Sequence, residues 1–226
     1  MHTNLAGIAL TLTCAVAAAS AQGPGVGPRT GVAASAELPA EVLGAERVFL
    51  RVPHIRQEPE LCVPTSAAMV LAYYGDGRAP RELKVRSRGA DYDPSAPFED
   101  FTITWWRDLI AGMQPLGYRW RQRGFANTAA GFEQGLEAIR VSLRRGDPVL
   151  VDVKLFGSHT FVVAGFDDAR AEVSIIDPNL PEPGLRVLSY AQLASIWNGL
   201  SYDADLRPTL FTGRRRSDSG IERGVQ

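Results

Sequence analysis

From Ala67 to Ala72 the chain runs Ala-Ala-Met-Val-Leu-Ala, with no polar stripe to mark a solvent face. A helix that is apolar on every side is a central one. The run is entered through Gln57-Glu58-Pro59-Glu60-Leu61-Cys62-Val63-Pro64-Thr65-Ser66. Pro64 suits a first helical turn, where its missing N–H is no loss and its fixed φ helps. Gly75, after Tyr73 and Tyr74, is a natural stop. The pattern predicts a buried helix opening at Cys62.

Elsewhere the periodicities are of two kinds. Arg47 to Val52 reads as a short strand ended by Pro53, with a loop over His54 to Leu61. Gly77 to Phe98 is polar and reads as a long surface loop, with a short helix at Arg81 to Lys84. Thr102 to Met113 has Trp106, Leu109, Ile110 and Met113 on one helical face, and Pro115 and Gly117 close it. Trp105 and Trp106 suit either a core or a ligand platform, the core being the simpler reading. Tyr118 to Gly124 alternates like a half-buried strand whose basic residues form a solvated face. Phe132, Leu136, Ile139 and Leu143 mark an amphipathic helix, closed by Arg144, Arg145 and Gly146. After Asp147-Pro148 the pattern changes to strands at Val149–Leu155, His159–Phe166 and Glu172–Ile176, the last two joined by a turn over Asp167 to Arg170. Gly184 to Leu188 reads as a short strand, Tyr190 to Trp197 as a short helix and Pro208 to Thr212 as a closing strand. No internal repeat is visible. Helices first and antiparallel strands second predict an α+β fold.

Composition narrows the class. Of 226 residues, 45% are hydrophobic, enough for one cored domain, expected over residues 46–212. A net charge of -1 and a pI near 6.3 give no reason to expect nucleic acid or anionic membrane as a partner. Residues 1–21 read as a signal peptide: Leu5 to Ala19 is apolar and Ala19-Ser20-Ala21 has the form of a cleavage site, although the n-region has no Lys or Arg. A lipoprotein reading through Cys14 and a retained anchor are the alternatives. The expectation is export to periplasm or medium, with no stable membrane span after cleavage. Residues 22–45 read as a flexible linker and 213–226 as a disordered tail.

Cysteine usage then bears on chemistry. The two cysteines are Cys14 and Cys62. If Cys14 leaves with the signal, one thiol remains in an oxidising compartment, either reactive or bridged between molecules. At a helix N-terminus the dipole and unpaired N–H groups favour a thiolate; the plainer reading of Cys62 is a small core residue. With His2 lost, His54 and His159 are the available imidazoles. His159 at a strand edge is by itself more often structural. If the hairpin turns near Asp168, however, His159 falls opposite Asp177 or Pro178, within reach of the carboxylate. That is the base and orienter an activated nucleophile requires. Asp177-Pro178 also reads as a strand-ending turn. The Cys62 N–H offers one oxyanion donor, and the Gln57 amide is the candidate for a second. No metal-ligand spacing and no phosphate-cradling loop are present, so no cofactor is expected.

Gln57, the Cys62–Met69 run, Tyr73-Tyr74-Gly75, Ser158-His159-Thr160-Phe161-Val162-Val163 and Ile176-Asp177-Pro178 together resemble the papain-like cysteine peptidases of the bacteriocin-processing type, cysteine peptidase family thirty-nine and its free-standing relatives. The resemblance runs from about Val48 to Thr212. It implies a papain-like fold, with a helical half carrying the nucleophile and an antiparallel β half carrying base and orienter. It also implies Cys62 as nucleophile, His159 as base, Asp177 as orienter and Gln57 in the oxyanion hole, acting on a peptide or protein substrate. Two features depart from the pattern: Val63 stands where many members have Gly, and an export signal stands where the better-known members have a transporter. The leading expectation is an exported cysteine peptidase. A thiol amidase or acyltransferase on a non-protein substrate, or an inactive papain-like binding module, are the alternatives.

Overall fold

The computed structural model describes residues 46–88, 104–155, 157–199 and 204–214, all within one unit, Ala40–Gln226. The expected signal peptide, the whole of the expected linker, the Asp91–Phe101 stretch and the tail beyond Arg214 lie outside the described residues. Strand β1 (Arg47–Phe49) precedes helices α1 (Cys62–Tyr73), α2 (Pro80–Arg86) and α3 (Trp106–Met113). Strand β2 (Arg121–Ala126) and helix α4 (Ala129–Arg144) follow. The second half holds β3 (Val149–Lys154), β4 (Ser158–Asp167), β5 (Glu172–Ile176), β6 (Leu185–Ser189), α5 (Tyr190–Ile196) and β7 (Leu206–Phe211). The fold is α+β and papain-like, with every strand pairing antiparallel.

The strands form one sheet in the order β2-β7-β3-β4-β5-β6, with β1 paired to the far end of β4. Both faces of its centre are covered. On one, α1, α2 and α3 pack with Tyr118 and Trp120 against Leu150, Val162, Ala164, Ile176 and Leu210. On the other, α4 and the Leu193–Trp197 end of α5 pack against Val149, Val151, Val153, Phe161, Val163, Val173 and Ile175. Alternate residues of β3 therefore feed two cores, which is why its sequence is apolar at nearly every position rather than every second one. Burial of α1 from Val63 to Leu71 matches its lack of a polar face. Gly75 ends the helix with φ at +88°.

One irregularity sets the geometry of the site. Asp167 pairs with Glu172 and Gly165 with Ser174, but Val163 pairs with Ile175 and Val162 with Ile176, so the register shifts by one between Val163 and Gly165. Carried on without that bulge, the register of the turn end would set Asp177 opposite Val162, on the α1 face. With it, Asp177 projects opposite Phe161, in the parity of His159. His159 and Asp177 are thus diagonal neighbours, where a turn centred on Asp168 predicts direct opposition. Gly165 sits at the bulge because a Cβ there would lie 2.5 Å from the Val48 carbonyl of β1.

Other boundaries moved for physical reasons. The first strand stops at Phe49, since only Arg47 to Phe49 pair with β4. The helix read from Thr102 starts at Trp106; Trp106 is fully buried and Trp105 half-buried. The strand read over Tyr118–Gly124 runs instead over Arg121–Ala126. Tyr118 and Trp120 leave the alternation to enter the first core, their polar tips satisfied by Asp76 and the Gly213 carbonyl. The last strand begins at Leu206 and lies inside the sheet, between β2 and β3. Pro208 is tolerated there because β3 pairs only with Thr209 to Phe211.

Candidate active site

Cys62 is the first residue of α1, with Leu61 as a cap that offers no side-chain hydrogen bond. The first N–H groups of a helix lack intrahelical partners, so the thiol sits amid backbone donors at the positive end of the dipole. One turn on, Ser66 donates from Oγ to the Thr160 carbonyl at 3.0 Å, a buried bond that fixes α1 against β4 one residue past His159. The helix therefore delivers Cys62 to the start of β4.

His159 lies between Asp177 and Cys62. Its Nε2 is 2.8 Å from Asp177 Oδ1, and the ring also hydrogen-bonds Cys62. Burial opposes charge on the imidazole, but the hydrogen bonds to Asp177 and Cys62, with the attraction of both, outweigh it and raise His159 to about 9. Asp177 is buried and also accepts the Asn179 N–H at 2.8 Å. Burial pushes its carboxyl up; the His159 and Asn179 hydrogen bonds win, and the net shift is downward. An imidazole held between a buried carboxylate and a thiol is the arrangement found here.

The loop before Cys62 is pinned to the turn that follows Asp177. Gln57 donates its backbone N–H to the Pro178 carbonyl at 2.8 Å. Its side-chain Oε1 is buried and has no hydrogen-bond partner among the described residues. His54 packs on Gly184, whose φ is +66°, so closely that a Cβ there would lie 2.1 Å from the ring. Gly184 in turn accepts the Asp177 N–H at 2.9 Å. On the other side of the loop, Arg81 Nε reaches both oxygens of Glu58, at 2.9 and 3.0 Å. The structure thus brings Cys62, His159 and Asp177 together, and ties the Gln57 backbone to the turn beside them. His54 is left in a packing role.

Two charged residues near the site escape a reading by motif. Lys84 on α2 is buried, donates from Nζ to Thr104 Oγ1 at 2.7 Å, and lies within electrostatic range of Cys62, Glu60 and Arg88. Burial lowers its ammonium to about 8 despite the pull of Cys62 and Glu60. Asp152 on β3 is 1% exposed and accepts from Ser158 Oγ at 2.7 Å. The available signal was a charge inside an apolar stretch, as in Val-Leu-Val-Asp-Val. A pocket of about 140 Å³ lies behind Asp177, walled by Phe161, Ile175, Leu188 and Arg186 among others. Among the described residues there is no cluster of three or more His, Cys, Asp or Glu able to hold a metal, and no helix long and apolar enough to cross a membrane.

Residues 49–205 match the family model described as the Peptidase_C39 like family. The peptidase domain of Streptococcus ComA, a bifunctional ABC transporter of a quorum-sensing pathway, superposes with a TM-score of 0.51 at 17% identity, over 73% of this chain and 99% of that one. A double-glycine-motif protease from an AMS/PCAT transporter, solved with its leader peptide, superposes at 0.50 and 18%, over 73% and 94%. The comparison with curated proteins returned no match.

Proposed function

The chain belongs to the Peptidase_C39 like family, and on that premise we propose that it is an exported cysteine peptidase working through Cys62, His159, Asp177 and Gln57. The observation that carries the reading is His159 held between Asp177 and Cys62. The Cys62 thiolate attacks the substrate carbonyl carbon and forms a C–S bond. The carbonyl oxygen takes the negative charge, stabilised by the Cys62 N–H and the Gln57 side-chain amide. As the tetrahedral intermediate collapses, His159 gives its proton to the leaving amine and the C–N bond breaks. A thioester remains. Water, deprotonated by the now neutral His159, attacks it, the C–S bond breaks, and the acid product leaves with the thiolate–imidazolium pair restored. Asp177 keeps one ring nitrogen engaged so that the other faces the sulfur.

A peptide substrate is supported by the transporter protease solved with its leader peptide, a relative of the same fold. Export is supported by the apolar Leu5–Ala19 run and the Ala19-Ser20-Ala21 site. Wild type and the Cys62→Ala and Gln57→Ala variants, incubated with a mixed peptide library and read by mass spectrometry, test the reading. Hydrolysis should vanish in Cys62→Ala and fall about 100-fold or more in Gln57→Ala at unchanged melting temperature. Equal cleavage by wild type and Cys62→Ala would reject it. Export is tested by the mature N-terminus recovered from periplasm or medium, which should begin near Gln22.

A further inference from the structure

Strand β2 is an edge of the sheet: among the described residues it pairs with β7 alone, and its other side faces no strand. Two grooves meet at its first residue, Arg121. One, of about 610 Å³, runs between α4 and the β2–β7 pair and carries Arg121, Arg123 and Arg145, with Ala138, Val141 and Phe211 as its apolar lining. The other, of about 580 Å³, carries Arg119, Arg121 and Arg214 beside Trp120, and no carboxylate lines it. The two carboxylates of the first groove are already engaged: Glu137 by Arg140 and Arg144, Asp147 by the Tyr74 hydroxyl. Arg123 lies over the Phe125 ring at 4.4 Å and Arg214 over Tyr74 at 5.6 Å, contacts that seat the guanidinium groups without neutralising them. None of the five arginines has a carboxylate partner among the described residues. A net charge of -1 for the whole chain thus conceals a concentrated positive face.

We propose that the β2 edge docks an acidic peptide segment in extended form, added to the sheet as a further strand. Three features fit that occupant. An open strand edge offers both donors and acceptors, which a peptide backbone matches and a phosphate polymer or lipid headgroup does not. The side chains of an added strand alternate between faces, so every second one would fall on the α4 face, where Arg121 and Arg123 share the side of the buried Phe125. Carboxylates arriving there meet guanidinium groups, which bind them through paired, charge-assisted hydrogen bonds. Lastly, the charge that attracts an acidic strand repels a second copy of β2, so the edge is closed to self-association yet open to this partner. The surface is separate from the catalytic groups. Arg121, Phe211, Val149 and Val163 form one row across the sheet, and His159 lies on the third strand over and four residues back along β4, roughly 20 Å from Arg121. The proposal does not rest on the peptidase reading.

The test uses the full chain carrying Cys62→Ala, so that no probe is cut, and a fluorescein-labelled octapeptide alternating Glu and Val, read by fluorescence anisotropy. Adding Arg121→Glu and Arg123→Glu together should weaken binding about tenfold or more at unchanged melting temperature, since both side chains are exposed. The charge-reversed chain should bind the Lys-Val counterpart instead. A second reading needs no change at β2. N-methylating the Val residues or the Glu residues removes the N–H groups along one edge of the peptide, and one of the two sets should cost about tenfold or more in affinity. Equal affinity for the charge-reversed and unreversed chains, full binding by both methylated peptides, or no binding of the Glu-Val peptide overturns the proposal. Capture of phosphatidylglycerol vesicles or of heparin in place of the peptide likewise overturns it, in favour of a polyanion site.

Discussion

The backbone N–H of Gln57 donates to the carbonyl of Pro178 at 2.8 Å, joining the loop that precedes Cys62 to the turn that follows Asp177. These segments are far apart in sequence and come from opposite halves of the fold. The bond acts with the packing of His54 on Gly184, so the placement of Gln57 and of Asp177 is one structural event.

Gly184→Ala tests that linkage. The new Cβ would meet the His54 ring at 2.1 Å, on a backbone with φ of +66°. We expect a loss of about 1–3 kcal/mol in unfolding free energy. Hydrolysis should fall further than the folded fraction does, because Asp177 hangs from the Gly184 carbonyl. Activity and urea unfolding measured on one preparation separate the two effects.

Asp177→Asn should make stability less dependent on pH. His159 is raised in the folded state to about 9, from an ordinary value of 6.5. Its contribution is therefore fully present below about pH 6.5 and is lost as pH rises through 9. Removing the carboxylate should lower the unfolding free energy at pH 6 by on the order of 2 kcal/mol, and change little at pH 10. Equal losses at both pH values would mean that the pair does not supply this term.

Asp152→Asn should do the opposite. The folded state raises this carboxyl to about 7 from 3.8, so the folded protein favours the protonated form. That contribution is full below about pH 4 and is lost as pH rises through 7. The amide avoids the loss, so the variant should melt higher than wild type at pH 8, by the equivalent of about 1–3 kcal/mol, and about equally at pH 4. Differential scanning calorimetry at the two pH values checks it.

Lys84 lies within electrostatic range of Cys62, so it should favour the approach of small anions to the thiol. Lys84→Met should slow alkylation of Cys62 by iodoacetate about 2–5-fold relative to iodoacetamide at pH 6.5, and Lys84→Arg should keep the wild-type ratio. In the wild type the ratio should drop as pH passes 8, where the buried ammonium loses its proton. A ratio indifferent to both the substitution and pH would place Lys84 out of range.

Much of this architecture was written in local pattern. The all-apolar run after Ser66, the Phe132–Leu143 periodicity and the Glu172–Ile176 strand each specify their element from within. Cys62, Gln57, His159 and Asp177 could be singled out because histidine and cysteine are scarce and motif spacing is short. The diagonal placement of His159 and Asp177 was not legible, since the bulge at Val163–Gly165 answers to the approach of β1 and not to the hairpin's own residues. Nor were Lys84 and Asp152. Each is one charge in a buried setting, and its neighbour across the fold decides whether it pairs, titrates or is merely tolerated. Nor was the interior place of the Pro208–Thr212 strand legible, since a proline fits there only because the partner β3 stops one residue short of it.

The position of β7 has a consequence for how the protein is made. Strand β7 enters the sheet between two strands that precede it in the chain, and until it docks β2 and β3 both present unpaired edges. Among the described residues, a chain cut after Asp205 keeps the five helices and six of the seven strands, yet leaves β2 without a strand to pair with. The sheet therefore cannot close until residues 206–211 have docked between β2 and β3, whatever the order in which the other elements form.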